Sequence, residues 1–91
     1  MLKPRTTTKF KKDYKKAKKR NKEIEKLESI MDDLEAEKKL SLKFKDHSLA
    51  GNFIGSRECH IEPDWLLIYR IKGQENEIIF ERTGSHSDLY D

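Results

Sequence analysis

The chain has one cysteine among its 91 residues, with two prolines, four glycines and one tryptophan. A lone thiol excludes an internal disulfide framework and fits a reducing compartment. No apolar stretch approaches the roughly 20 residues that a membrane-spanning helix needs. The first residues are basic where a secretory signal would be apolar. The expectation is a cytoplasmic protein with no membrane contact. There is no internal repeat and no Gly/Ser/Pro-rich linker, so residues 1–91 read as one small domain with a single modest core. The metal-binding spacings C-x-x-C, H-x-x-x-H and HExxH are missing as well.

Charge is what the chain has in excess. Charged residues make up 41% of it, against 34% hydrophobic ones, and the net charge of +3 conceals a steep asymmetry. Residues 1–22 hold eleven Lys or Arg and one acid, a balance of +10; residues 23–37 hold seven acids and one Lys, or −6; the rest hold eight basic and nine acidic residues, or −1. A cationic block this dense attracts a polyanion in a salt-dependent way, unless it is simply a solvated tail.

The periodicity places this block on a helix. Residues 1–7 read as a short edge strand, the position that tolerates Pro4. Thr8 is a candidate N-cap for a helix from about Lys9 to Arg20, with an apolar stripe of Phe10, Tyr14 and Ala17. Lys11, Lys12, Lys15, Lys16, Lys18 and Lys19 occupy most of the remaining surface. Asn21 is the candidate cap of a second helix, whose stripe is Ile24, Leu27, Ile30, Met31 and Leu34 and whose outer face is acidic. Residues 40–55 read as a long loop, extended only around Phe53. Three strands follow, at 56–61, 65–71 and 77–83, joined by a Glu62-Pro63-Asp64 turn and a turn over residues 72–76. WLLIYRI is nearly continuous in apolar residues and reads as the central strand, buried on both faces. The residues after Gly84 read as a short polar tail. The expected fold is α+β, a helical hairpin packed on a small antiparallel sheet.

The chemistry is concentrated in the second half. His47, His60 and His86 each lie beside or near a carboxylate, and a meander can gather strand ends at one edge. Cys59 and His60 are neighbours in a strand and point to opposite faces, which argues against their ligating one ion. No metal and no cofactor are expected. Cys59 and Ile61 are assigned to the core and His60 to a cleft. Strict alternation would also send Arg57 inward, so a bulge or a strand end must intervene. Trp65 either packs at the start of the buried strand or stacks on a base, and Tyr90 offers a second planar face.

Imidazole is suited to accepting and donating protons near neutrality. Cleavage of RNA without metal needs a base for the 2′-hydroxyl, an acid for the leaving 5′-oxygen and cations for the phosphorane. Histidine and aspartate supply the first two; Lys45, Arg57, Arg82 and an imidazolium supply the charge. The competing reading is a non-catalytic basic module that binds RNA, DNA or a protein.

Three segments, DHSLAGNF, RECHIEPDWLLIYRI and RTGSHSDLY, closely resemble those of the YafQ-type branch of the RelE family of bacterial toxins. The resemblance implies a microbial-ribonuclease-type fold and an mRNA interferase that cuts ribosomal A-site codons in the bacterial cytoplasm. It implies a cognate DinJ/RelB-like antitoxin as inhibitor, with operator DNA met only through the antitoxin complex. By motif, His47, His60, Asp64 and His86 become the catalytic set. His86 is then the general acid, Asp64 or His60 the general base, and His47 assists with charge and phosphate positioning. Trp65 and Tyr90 would hold the mRNA, and the lysines of the first helix would meet ribosomal RNA. The chain departs from the pattern at Phe53, where relatives often have Trp, and at Tyr90, where they usually have Phe.

Overall fold

The apolar run WLLIYRI forms β4 (Trp65–Lys72), the middle strand of a five-stranded sheet in the order β1-β5-β4-β3-β2. The computed structural model describes residues 1–90. β3 (Arg57–Glu62) and β5 (Glu77–Gly84) flank β4 in antiparallel register, as the meander predicts. β1 (Lys3–Thr6) is an edge strand, as Pro4 requires, but it runs parallel to β5. The sheet is therefore mixed: two helices and three strands separate β1 from β5 in the chain, a connection long enough for a parallel pair.

α1 (Thr8–Lys19) and α2 (Ile24–Glu35) form the expected hairpin. The caps differ from expectation. Thr7, not Thr8, accepts the Phe10 amide at 2.9 Å. Asn21 does not cap α2; it ends α1 in the left-handed region at φ 60°, a conformation asparagine tolerates. The two stripes bury Phe10, Ala17, Leu27, Ile30 and Leu34 against Cys59, Ile61, Trp65, Leu67, Tyr69, Ile78 and Phe80. Among the described residues no helix is long and apolar enough to cross a membrane.

The opposite face of the sheet has its own small core. Leu66 and Ile68 of β4 pack there with Leu49, Phe53 and Leu89. β4 is thus covered on both sides, which is why its first five residues are all buried. Two parts of this second cover depart from the sequence-based expectation. The tail is a short helix, α3 (His86–Tyr90), held down by Leu89. In the long loop, extension occurs at β2 (His47–Ser48), which pairs with β3, whereas Phe53 lies in a 3₁₀ turn.

β5 has an exposed edge where β1 stops at the level of Phe80. α1 closes it, as an open edge demands. The Thr7 hydroxyl donates to the Glu81 carbonyl at 2.8 Å, and the Thr83 amide donates to Asp13 at 3.2 Å.

Candidate functional site

Alternation along β3 builds the site. Cys59 and Ile61 point into the helix-side core, so Glu58 and His60 share the other face. His47 of β2 lies directly across from Glu58 in the ladder. α3 then carries His86 and Tyr90 over the same face. The aromatic rings form a row, with centroids 6.2 Å apart for His47 and His60, 5.9 Å for His60 and His86, and 6.4 Å for His86 and Tyr90. Phe53 meets the edge of Tyr90 at 5.7 Å.

Glu58 lies beneath the row, 5% exposed, and no sequence motif singles it out. Its Oε1 is 3.4 Å from His47 Nε2 and 3.7 Å from His60 Nε2, and its Oε2 accepts from the Tyr90 hydroxyl. Burial, then the Glu58 carboxylate, push the Tyr90 hydroxyl up, so it remains a donor. The signal for Glu58 was its spacing of two from His60 in a strand whose alternate residues are core. The Tyr90 hydroxyl that binds it is one that phenylalanine would lack.

The partners of the histidines fix which nitrogen faces the cleft. A carbonyl only accepts, so His47 Nδ1 donates to the Lys45 carbonyl at 2.7 Å and Nε2 is turned toward Glu58. Asp64 accepts twice from His86, from the backbone N–H at 2.9 Å and from Nδ1 at 2.6 Å. Those two bonds, the backbone one foremost, hold the Asp64 carboxyl below its usual range. His86 Nε2 makes no hydrogen bond or ion pair among the described residues. Asp64 therefore stays ionised and orients an imidazole, as the carboxylate of a catalytic triad does.

Other expected residues lie elsewhere. Trp65 is 1% exposed and donates its Nε1–H to Thr83 Oγ1 at 3.1 Å; its ring offers no free face to a base. Arg57 lies on the face of Cys59 and bonds Asp46 at 3.2 Å, beside Tyr69, whose hydroxyl donates to the same carboxylate at 2.6 Å. The strand end, not a bulge, lets it escape the core; the register shift falls later, between His60 and Glu62. Arg82 is committed to Asp13 of α1 at 2.7 Å. Lys45 is exposed in a left-handed turn and reaches the row through its carbonyl.

On α1, Lys16 pairs with Asp88 at 3.3 Å and Lys18 lies over the Tyr14 ring. Among the described residues Lys11, Lys12, Lys15, Lys18 and Lys19 make no ion pair, and all five are exposed.

The structure also qualifies the reading that metal spacing is missing. One ligand atom each from His47, Glu58 and His60 lies within 4.8 Å of the others, a donor set suited to a first-row transition metal. No spacing rule finds this trio, since its members come from two strands. Cys59 is not among the donors: it is fully buried, and burial pushes its thiol up to about 12.

Comparison with known proteins agrees with this architecture. Residues 2–91 match the family model described as the bacterial toxin of type II toxin–antitoxin system, YafQ. The mRNA interferase toxin YafQ of Escherichia coli K12 is 42% identical over 82 residues, which cover 89% of this chain and 87% of that protein. A metal-bound toxin from Helicobacter pylori superposes with a TM-score of 0.93 at 43% identity, over 99% of this chain and all of that one. A chain of the E. coli DinJ–YafQ complex does so with a TM-score of 0.90 at 37% identity, over the whole of both chains. The chain belongs to the YafQ family of bacterial type II toxin–antitoxin toxins.

Proposed function

We propose that this chain is an mRNA endonuclease that cuts A-site codons on the ribosome by metal-independent acid–base catalysis, and that a DinJ-type antitoxin holds it inactive in the bacterial cytoplasm. The observation that carries the reading is the His47–His60–His86 row, with Asp64 fixed on His86 Nδ1. A purely binding module has no use for three imidazoles in one row with a carboxylate fixed on one of them. The E. coli relatives, named as an mRNA interferase and as a partner of DinJ, support the activity and the inhibitor.

In the mechanism the 2′-hydroxyl loses its proton to His60 and its oxygen attacks the adjacent phosphorus. The P–O5′ bond breaks, and His86 Nε2 delivers a proton to the departing oxygen. A 2′,3′-cyclic phosphate and a 5′-hydroxyl result. His60 is favoured over Asp64 as base because the lowered carboxyl of Asp64 is a weak base already accepting two hydrogen bonds. The Glu58 carboxylate, 3.4 Å from His47 Nε2 and 3.7 Å from His60 Nε2, holds the two rings side by side where the phosphate would lie. Tyr90, a residue 44% exposed, offers its ring to a base.

Mapping mRNA ends on programmed ribosomes tests this. Cuts in the A-site codon ending in a cyclic phosphate are expected, with none on the same RNA free of ribosomes. His86→Ala should slow cleavage by at least about a hundredfold while ribosome binding persists. Activity should survive a chelator selective for transition metals that leaves ribosomal magnesium in place. Wild-type activity in His86→Ala, or loss of activity in the chelator, would remove the acid–base mechanism. The second outcome would transfer attention to the His47–Glu58–His60 trio.

A further inference from the structure

α3 has five residues, too few for its own hydrogen bonds to hold it, so side chains must fix its position. The most connected of them is Asp88. Its Oδ2 accepts from the Ser85 amide at 3.0 Å and from Arg20 Nη1 at 2.8 Å, and its Oδ1 receives Lys16 Nζ at 3.3 Å. Its own amide donates to Ser85 Oγ at 3.1 Å. The turn closes so tightly that a Cβ on Gly84 would lie 3.0 Å from the Asp88 side chain. The carboxylate is 16% exposed, whereas Lys16 and Arg20 are about half exposed at 53% and 48%. Those two cations are four residues apart, on the last turn of α1 and on the residue that caps it. Asp88 is two residues from His86. A single carboxylate thus joins the helix that carries the catalytic acid to the helix that faces RNA.

We propose that Asp88 is a positioning residue for cleavage: it fixes the His86 helix against α1 and in doing so withdraws Lys16 and Arg20 from the RNA phosphates. The inference rests on the reading of His86 as acid and of α1 as an RNA-facing helix. The clasp sets placement of the acid against affinity for RNA.

Asp88→Asn retains the size and an acceptor for the Ser85 amide and removes the charge. Steady-state cleavage on programmed ribosomes should show kcat falling about tenfold or more as His86 loses its placement. KM should fall at the same time, because two cations are released. The salt dependence of ribosome binding should steepen by the equivalent of up to about two further neutralised phosphates. Adding Lys16→Gln and Arg20→Gln to Asp88→Asn should return KM and the salt slope to wild-type values while kcat remains low.

A merely structural role would lower apparent kcat through a smaller folded fraction, at unchanged KM and slope, and that result overturns the proposal. So does a wild-type kcat. If Asp88→Asn does not fold, the Lys16→Gln/Arg20→Gln variant decides. A lower kcat at unchanged KM supports the clasp; a raised KM at wild-type kcat makes the two cations ordinary RNA-binding groups and refutes it. His86→Ala, run alongside, reports on the underlying reading alone. Activity retained there refutes the acid, whereas an inactive His86→Ala with wild-type behaviour in Asp88→Asn refutes only the clasp.

Discussion

Trp65 illustrates how burial decides a residue's role. An indole beside His60 and Asp64 in sequence invites a stacking role, yet the ring sits in the helix-side core with its N–H bonded to Thr83, whose hydroxyl donates in turn to the Leu66 carbonyl at 2.7 Å. Trp65→Phe removes one buried hydrogen bond and some core volume. The expected cost is about 1–3 kcal/mol, seen as a lower Tm. Ribosome binding per folded molecule should be unchanged. A variant of undiminished Tm that binds ribosomes less well would restore the stacking role. Glu58 is the opposite case, a carboxylate with no motif of its own that the register places beneath two imidazoles and a phenol.

At the scale of elements, α3 is the least self-sufficient part of the fold and carries His86, the acid of the proposed mechanism. Its attachment should be sensitive to acid in a calculable direction. The Ser85 amide, followed by Arg20 and Lys16, holds the Asp88 carboxyl well below the usual carboxylate range. A depressed pKa stabilises the folded state above the unfolded value of about 3.9 and ceases to do so as the pH falls through the folded one. The Tm of the wild type should therefore drop more on acidification from about pH 5 to pH 2 than that of Asp88→Asn, with the two curves converging at the acid end. Thermal unfolding followed by circular dichroism measures this. Parallel curves would mean that Asp88 adds nothing to the folded state. α1 also acts as an element beyond its own stripe, because Thr7 and Asp13 close the edge of β5 where β1 has ended.

Across the whole molecule, the sheet separates two chemistries. The helical hairpin covers one face, and the histidine row lies on the other. The two meet where Lys16 and Arg20, at the end of α1, reach Asp88 of α3. Reversing the charges of Lys11, Lys12 and Lys15, which make no ion pair among the described residues, should weaken ribosome binding. It should also reduce the slope of log K against log salt by about 0.7–0.9 for each phosphate no longer neutralised. An unchanged slope would return this helix to a solvated surface. Lys16 should contribute less than its neighbours, since Asp88 already neutralises it.

The sequence by itself determined the elements and the actors. Helical stripes, strand alternation and the Glu62-Pro63-Asp64 turn are local patterns, readable from neighbours a few residues apart, and they located both long helices and the three main strands closely. His47, His60, Asp64 and His86 were legible as candidates through their residue types, and the last three also through their position at strand ends. Tertiary structure decided the rest. It set the parallel run of β1, the burial of Trp65, the arrival of Glu58 under the histidines and the attachment of Asp64 to His86. It also decided which cations are engaged: Arg57 with Asp46, Arg82 with Asp13, Lys16 and Arg20 with Asp88. Each of these joins side chains far apart in the chain. Their meeting depends on strand register, on a bulge and on where a five-residue helix is tied down, none of which leaves a period in the sequence.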